Sequence, residues 1–356
     1  MRTLLKVFAV GVFCAAAWLA WALLWPVRPN GQVFVLLRPG YSTRHIASDL
    51  KSAGVIRNEH AFLLWHFIVK PRTLKAGEYL FDHPTDTLQV HRRLVRGDIY
   101  VHTVVIPEGF NMFDIAQAIA NAGLGTGQEF LNAARSNTTL ISDIDPQAHS
   151  LEGYLFPDTY HFTRTQTMQD MISIMIHRFR QEARNVGLIP DNPDVPGTVA
   201  SATTAATAAS APNVHQVVTM ASIIEKETSV EQERPIVASV YYNRLQKRIA
   251  LDADPSVIYA ALLNGSYQGA LHHADLSLDS PYNTYKYPGL PPGPIANPGV
   301  SALRAAVHPS NTGYFYFVSD GNGHHRFATS LEEHNRNVAA LRRTLSVTRE
   351  TSLPNR

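Results

Sequence analysis

The 356-residue sequence predicts an α+β ectodomain behind a single N-terminal transmembrane helix. Three observations predict it. Val7 to Trp25 is a run of 19 uncharged, mostly apolar residues. A strand–turn–helix–helix pattern occurs twice in the next hundred residues. Beyond that, amphipathic helices alternate with turn-rich stretches and one short hairpin pattern near the C-terminus, a mixture of helices and small antiparallel sheets.

The apolar run spans about 28 Å as a helix, the thickness of a bilayer core. Arg2 and Lys6 precede it and only Arg28 follows closely. The positive-inside rule therefore puts residues 1–6 in the cytoplasm and everything after residue 30 outside. A cleaved signal peptide is the competing reading, through Ala20-Trp21-Ala22. The apolar run continues past that point through Leu23, Leu24 and Trp25, which favours an uncleaved single-pass anchor over 7–25. The one cysteine, Cys14, excludes an internal disulfide and a cysteine-based zinc site. A net charge of +2, with no Lys/Arg block, argues against nucleic acid as a partner.

Gln32–Leu37 reads as a strand. A glycine turn at Gly40, an N-cap candidate Ser42 and a helix carrying Ile46-Ala47 and Leu50 follow, closed by Ala53-Gly54. Sixty-nine residues later the same order returns with Gly109, Asn111, Ile115-Ala116, Ile119 and Ala122-Gly123. A second helix follows each copy, over 60–69 and 128–134. Between the copies lie a strand at 76–81 and a helix at 88–95. These units, near 35–70 and 104–135, resemble the glycan-gripping LysM fold, and 31–146 is expected to form one LysM-like module. A ligand-free packing unit is the alternative.

The region 147–345 reads as a second domain. It begins with Leu151-Glu-Gly-Tyr-Leu-Phe-Pro-Asp-Thr-Tyr160 and a helix with Met168, Met171, Ile172, Met175 and Phe179 on one face. A low-complexity Pro/Ala/Thr/Ser loop is expected over 190–212. Val214–Thr228 then forms a helix apolar on most of its circumference, hence buried, yet ending in Glu225 and Glu227. A carboxyl in apolar surroundings has a raised pKa and can hold the proton a general acid needs. Periodicity does not choose between the two. A helix over 234–248 follows, then one with Asp254 as its cap and Pro255 near N1. Residues 280–299 hold six prolines and three glycines, and Tyr282, Tyr285 and Tyr287 suit a ligand-facing wall. A short helix at 302–306, a hairpin of 314–318 with 326–328 turning at Asp320–Gly323, a helix at 334–345 and a loose tail at 346–356 complete the chain. No His-Glu-x-x-His, nucleophile elbow or phosphate loop occurs, so no metal and no cofactor is expected, and carboxylate chemistry remains.

Taken together, Leu151–Tyr160, Ala221-Ser-Ile-Ile-Glu-Lys-Glu-Thr228, Asp254–Tyr259, Ser280–Tyr285, Gly289–Ile295, Tyr316–Gly321 and His334-Asn335 resemble the YceG-like family of endolytic murein transglycosylases. The resemblance implies an inner-membrane protein with its catalytic domain in the periplasm. It implies cutting of nascent peptidoglycan between N-acetylmuramic acid and N-acetylglucosamine with 1,6-anhydro ring formation, which ends strand elongation. It places the acid on the first Glu of Glu-Lys-Glu, Glu225, with Glu152, Tyr154, Asn283 and Tyr285 around the substrate. Glu227 would be structural, paired with Arg234 or Arg244. Asp252 departs from the glutamine usual in relatives and would also face substrate. A second carboxylate there keeps a muramidase-type hydrolase as an alternative, and a non-catalytic peptidoglycan-binding scaffold is the third reading. The implied partners are the glycan strand, the inner membrane and peptidoglycan synthases.

Overall fold

The computed structural model describes residues 1–69, 73–190 and 213–351. Most of the loop expected over 190–212, and the end of the tail from 352, lie outside the described residues. The chain divides into two compact units. The first comprises Met1–Val104, Ala122–Leu124 and Tyr160–Thr167, and the second Val105–Asn121, Gly125–Thr159 and the chain from Met168 onward.

In the first unit, α1 (Arg2–Leu24) is long and apolar enough to cross a membrane. The strand β1 (Val33–Leu37), helices α2 (Thr43–Ser52) and α3 (Glu59–Ile68), strand β2 (Gly77–Phe81) and helix α4 (Thr87–Arg96) follow. β1 and β2 pair antiparallel, with Val35 opposite Tyr79 and Leu37 opposite Gly77. The period-two alternation turns Val35, Leu37, Tyr79 and Phe81 onto Leu50, Ile56, Phe62, Val90 and Leu94, which form this unit's core. Local rules set the helix starts. Ser42 accepts from the His45 N–H, Asn58 from Ala61 and Asp86 from Gln89. β3 (His102–Val105) and β4 (Thr159–Phe162) make a second two-stranded sheet. The buried Glu78 carboxylate joins His102 at 2.6 Å and Arg164 at 2.7 Å, tying the 160–167 segment to β2.

The second unit carries α5 (Met112–Asn121) and α6 (Gly127–Ser136), then α7 (Met168–Asn185) and α8 (Val214–Glu227). The strand–helix–helix order expected twice is present twice, but the second copy's strand lies mainly in the first unit and its helices in the second. Helix α8 is the buried centre. Every residue from Val217 to Ile224 is buried, each large apolar side chain contributing about 1.5–3 kcal/mol. Around it pack α9 (Arg234–Gln246), α10 (Asp254–Asn264) and α11 (Val300–Val307). β5 (Tyr316–Ser319) and β6 (His325–Ala328) form the expected hairpin, and α12 (Leu331–Thr351) closes the unit. Two details differ from the sequence reading. The cap of α10 is Ala253, because the Asp254 carboxylate accepts the Tyr285 hydroxyl instead. The closing helix runs on to Thr351, through most of what reads as a loose tail.

Candidate active site

Both carboxylates of the Glu-Lys-Glu string emerge at the C-terminal end of α8, but their surroundings differ. The Glu225 side chain is 5% exposed and both its oxygens are engaged. Oε1 accepts from Arg234 at 2.7 Å and Oε2 from the Gly299 N–H at 2.9 Å. Arg234 also lies 3.7 Å from Glu108 and donates to the Thr228 carbonyl. Burial pushes the Glu225 carboxyl up, while the Gly299 amide and the Arg234 and Lys226 charges pull against it. The Arg234 guanidinium and the Gly299 amide thus hold the Glu225 carboxyl against the end of the proline-rich loop.

Among the described residues, no cation forms a salt bridge with Glu227. Its carboxyl is hydrogen-bonded by Tyr241 of α9, and burial, reinforced by the charge of Asp254, raises its pKa to about 7 against the pull of Arg244. The pairing of Glu227 with Arg234 or Arg244 expected from sequence is therefore corrected: Arg234 takes Glu225, and Arg244 takes Asp252 at 3.2 Å. Glu227 lines a cleft of about 300 Å³ with Tyr241, Arg244, Asp252, Asp254 and Tyr285. It also lines an adjoining depression of about 460 Å³ with Glu108, Glu225 and Arg234. The residue thus sits where two hollows meet.

Arg244 organises one wall. It donates to the carbonyls of Phe315, Ala250 and Leu251 and to Asp252, and so holds a turn in which Asp252 takes a left-handed φ of 51°. His334 stacks on Tyr316 at 5.3 Å and lines the same cleft, its pKa lowered by burial and by Arg244.

Among the residues expected at the site, Asp252 and Tyr285 reach the Glu227 cleft. Glu225 lines the adjoining depression, and the other three lie in the interior. Glu152 accepts from the Met112 N–H at 2.9 Å, Tyr259 at 3.0 Å and Asn297 at 2.8 Å, and burial raises its pKa to about 7. Tyr154 is fully buried, donating to Asp145 and packing edge-on against Phe179. Asn283 spends its amide on its own loop, donating to the Leu276 and Leu278 carbonyls and accepting from the Tyr285 N–H. Each holds the scaffold rather than facing the cleft. Gly153 shows how tight that scaffold is: with φ at 88°, a Cβ there would lie 2.5 Å from Pro294 and 2.8 Å from Val218. Nothing read from the sequence assigned Tyr241, Arg244 or His334 a part in the site. Only the Tyr316–Gly321 and His334-Asn335 strings hinted that the C-terminal hairpin and α12 belong near it.

Comparison with known proteins agrees with the resemblance seen in the sequence. The profile of the YceG-like family matches residues 35–340. A Bacillus subtilis protein named endolytic murein transglycosylase is 34% identical over 332 residues, 88% of this chain and 87% of its own. A Streptococcus pneumoniae protein of the same name is 27% identical over 89% of this chain, which spans 60% of that longer relative. A crystal structure of a yceG-like protein from Listeria monocytogenes superposes with a TM-score of 0.54 at 30% identity, covering 86% of this chain and 99% of its own.

Proposed function

The chain belongs to the YceG-like family, and from that premise we propose that it is an endolytic murein lytic transglycosylase, anchored by α1, with Glu227 as its general acid. The single observation that carries this reading is the position and state of Glu227. Its carboxyl, raised to about 7 by burial, keeps a substantial protonated fraction near neutral pH and stands where two hollows adjoin, as cutting within a strand requires. In the forward step Glu227 gives its proton to the oxygen linking N-acetylmuramic acid to N-acetylglucosamine, and the C–O bond breaks through an oxocarbenium-like state. The carboxylate left behind accepts the proton of the sugar's C6 hydroxyl as that oxygen closes on the anomeric carbon. The acid is regenerated, no water is consumed, and a 1,6-anhydro end results. Tyr241 orients the carboxyl in both states, and the electropositive Arg244 eases its ionisation after proton transfer.

Glu225, expected from sequence to be the acid, would have to release Arg234 and Gly299 to act, so it serves as a fastener beside the site. Asp252 and Asp254 in the same cleft favour one second reading, in which a carboxylate directs water to the anomeric carbon, as a muramidase does. The β1–α2–α3–β2 order, with β1 and β2 paired, supports a LysM-like role in holding glycan. Arg2 and Lys6 before α1 support a periplasmic site, terminating nascent strands beside peptidoglycan synthases. The test is the mass of the products that the full-length protein releases from uncrosslinked glycan strands. Anhydro-muramyl ends uphold the transglycosylase, reducing ends select the hydrolase, and no cleavage leaves a binding scaffold.

A further inference from the structure

We propose that the outward face of α3 rests in the lipid headgroup layer where α1 emerges from the membrane, with an anionic phospholipid surface as its partner. This rests on α1 being a membrane span. Leu19, Ala22 and Leu23, in the last turns of α1, pack with Ala61 and Trp65 of α3 and Leu88 of α4. The Thr87 hydroxyl donates to the Ala22 carbonyl at 3.0 Å. These α1 residues belong to the apolar run itself. At about 1.5 Å per residue, Leu19 lies roughly 9 Å inside Trp25 along the helix axis. Whatever packs on them therefore sits at the edge of the bilayer.

On the flank beside this contact, α3 presents Leu64, Phe67 and Ile68, spaced i, i+3, i+4, with 44%, 79% and 56% of their surface exposed. Three large apolar side chains on one short helix are costly in water and at home in the headgroup–acyl boundary. All four tryptophans of the chain, Trp18, Trp21, Trp25 and Trp65, lie in this one region, the residue type that marks membrane–water interfaces. The exit of the span is pinned to the unit. Arg57 stacks on Trp21 at 4.9 Å and donates to the Trp25 and Pro26 carbonyls at 3.2 and 3.0 Å. Exposed Arg92 borders a groove of about 370 Å³ floored by Trp65 and Val69, which places a cation where lipid phosphates would lie. Continuity with the span selects a bilayer over a protein as the occupant.

The test uses the full chain in nanodiscs containing anionic phospholipid. Cys14, the only cysteine, is replaced by Ser, and an environment-sensitive fluorophore is attached at Phe67→Cys or, as a second position, Leu64→Cys. Reference labels sit at Phe13→Cys in the span and Asn322→Cys in the hairpin turn. The expected result is blue-shifted emission at 67 and 64, quenched several-fold more by a nitroxide near the lipid headgroup than by aqueous iodide. Iodide quenching equal to that at 322, while the label at 13 is quenched by a deep nitroxide, overturns the proposal and leaves the anchor intact. Protection from both quenchers means a protein covers the face, and overturns it too. If the label at 13 escapes lipid quenching, the anchor itself fails and the proposal with it.

Discussion

Replacing Glu227 with Gln should make the protein more stable at alkaline pH while removing its activity. The carboxyl's pKa rises from an ordinary 4.5 to about 7 in the folded state. Such a group contributes stability that is fully present below 4.5 and is lost as the pH rises through 7, because the folded protein resists the ionisation the unfolded chain accepts. At 1.36 kcal/mol per pH unit, the whole span corresponds to about 3 kcal/mol. Gln keeps an oxygen to accept from Tyr241 and never ionises, so it escapes that loss. The two proteins should melt within about 2–3 °C of each other near pH 5. By pH 8 the variant should melt about 6–12 °C higher, using about 2–4 °C per kcal/mol for a unit of this size. Thermal melts of the full chain in detergent at pH 5, 6.5 and 8 provide the comparison. A gap that does not widen with pH would show that the carboxyl is ordinary and would remove the physical basis for its acid role.

Gly153→Ala should cost about 2–6 kcal/mol, the sum of a left-handed backbone strained by a Cβ and a clash with Pro294 and Val218, seen as a lowered melting temperature. Glu152→Gln turns an amide N–H₂ toward donors and should cost about 1–3 kcal/mol, with cleavage per folded molecule kept within a few-fold. Burial raises the Asp145 carboxyl, but bonds from His215 and Tyr154 hold it below its usual range, and the Asp145 bond raises His215. The Asp145 contribution is present above 3.8 and lost as the pH falls through its lowered value. That of His215 is full below 6.5 and lost as the pH rises through its raised one. His215→Gln should therefore cost about 1.5–3 kcal/mol at pH 5–6, measured by melting, with the gap narrowing above neutrality.

The sequence made the framework of this site legible but not its assignment. Eight consecutive buried positions in α8, the capping residue Ser42, and the β5–β6 hairpin all follow from local periodicity and turn chemistry. Which carboxylate faces the cleft does not, because partners distant in sequence decide it. Arg234 lies nine residues beyond Glu225 and Gly299 lies 74 beyond, and together they consume the first carboxyl. Tyr241, from another helix, is left to shelter the second. Asn283 turns into its own loop for a related reason: an amide inside a proline-rich loop bonds most readily to the carbonyls that loop leaves unpaired. The length of α12 does not show in the sequence because residues 346–351, SVTRET, carry no apolar stripe for periodicity to find.

The most direct measurement compares glycan cleavage by the full-length wild type with that by Glu227→Gln and Glu225→Gln, each scaled to the folded fraction. Loss of about 100- to 10,000-fold is expected for Glu227→Gln, the usual contribution of a general acid, with Glu225→Gln losing stability more than turnover. Full activity in Glu227→Gln, beside a folded but inert Glu225→Gln, would contradict the assignment to Glu227 and return the acid to Glu225.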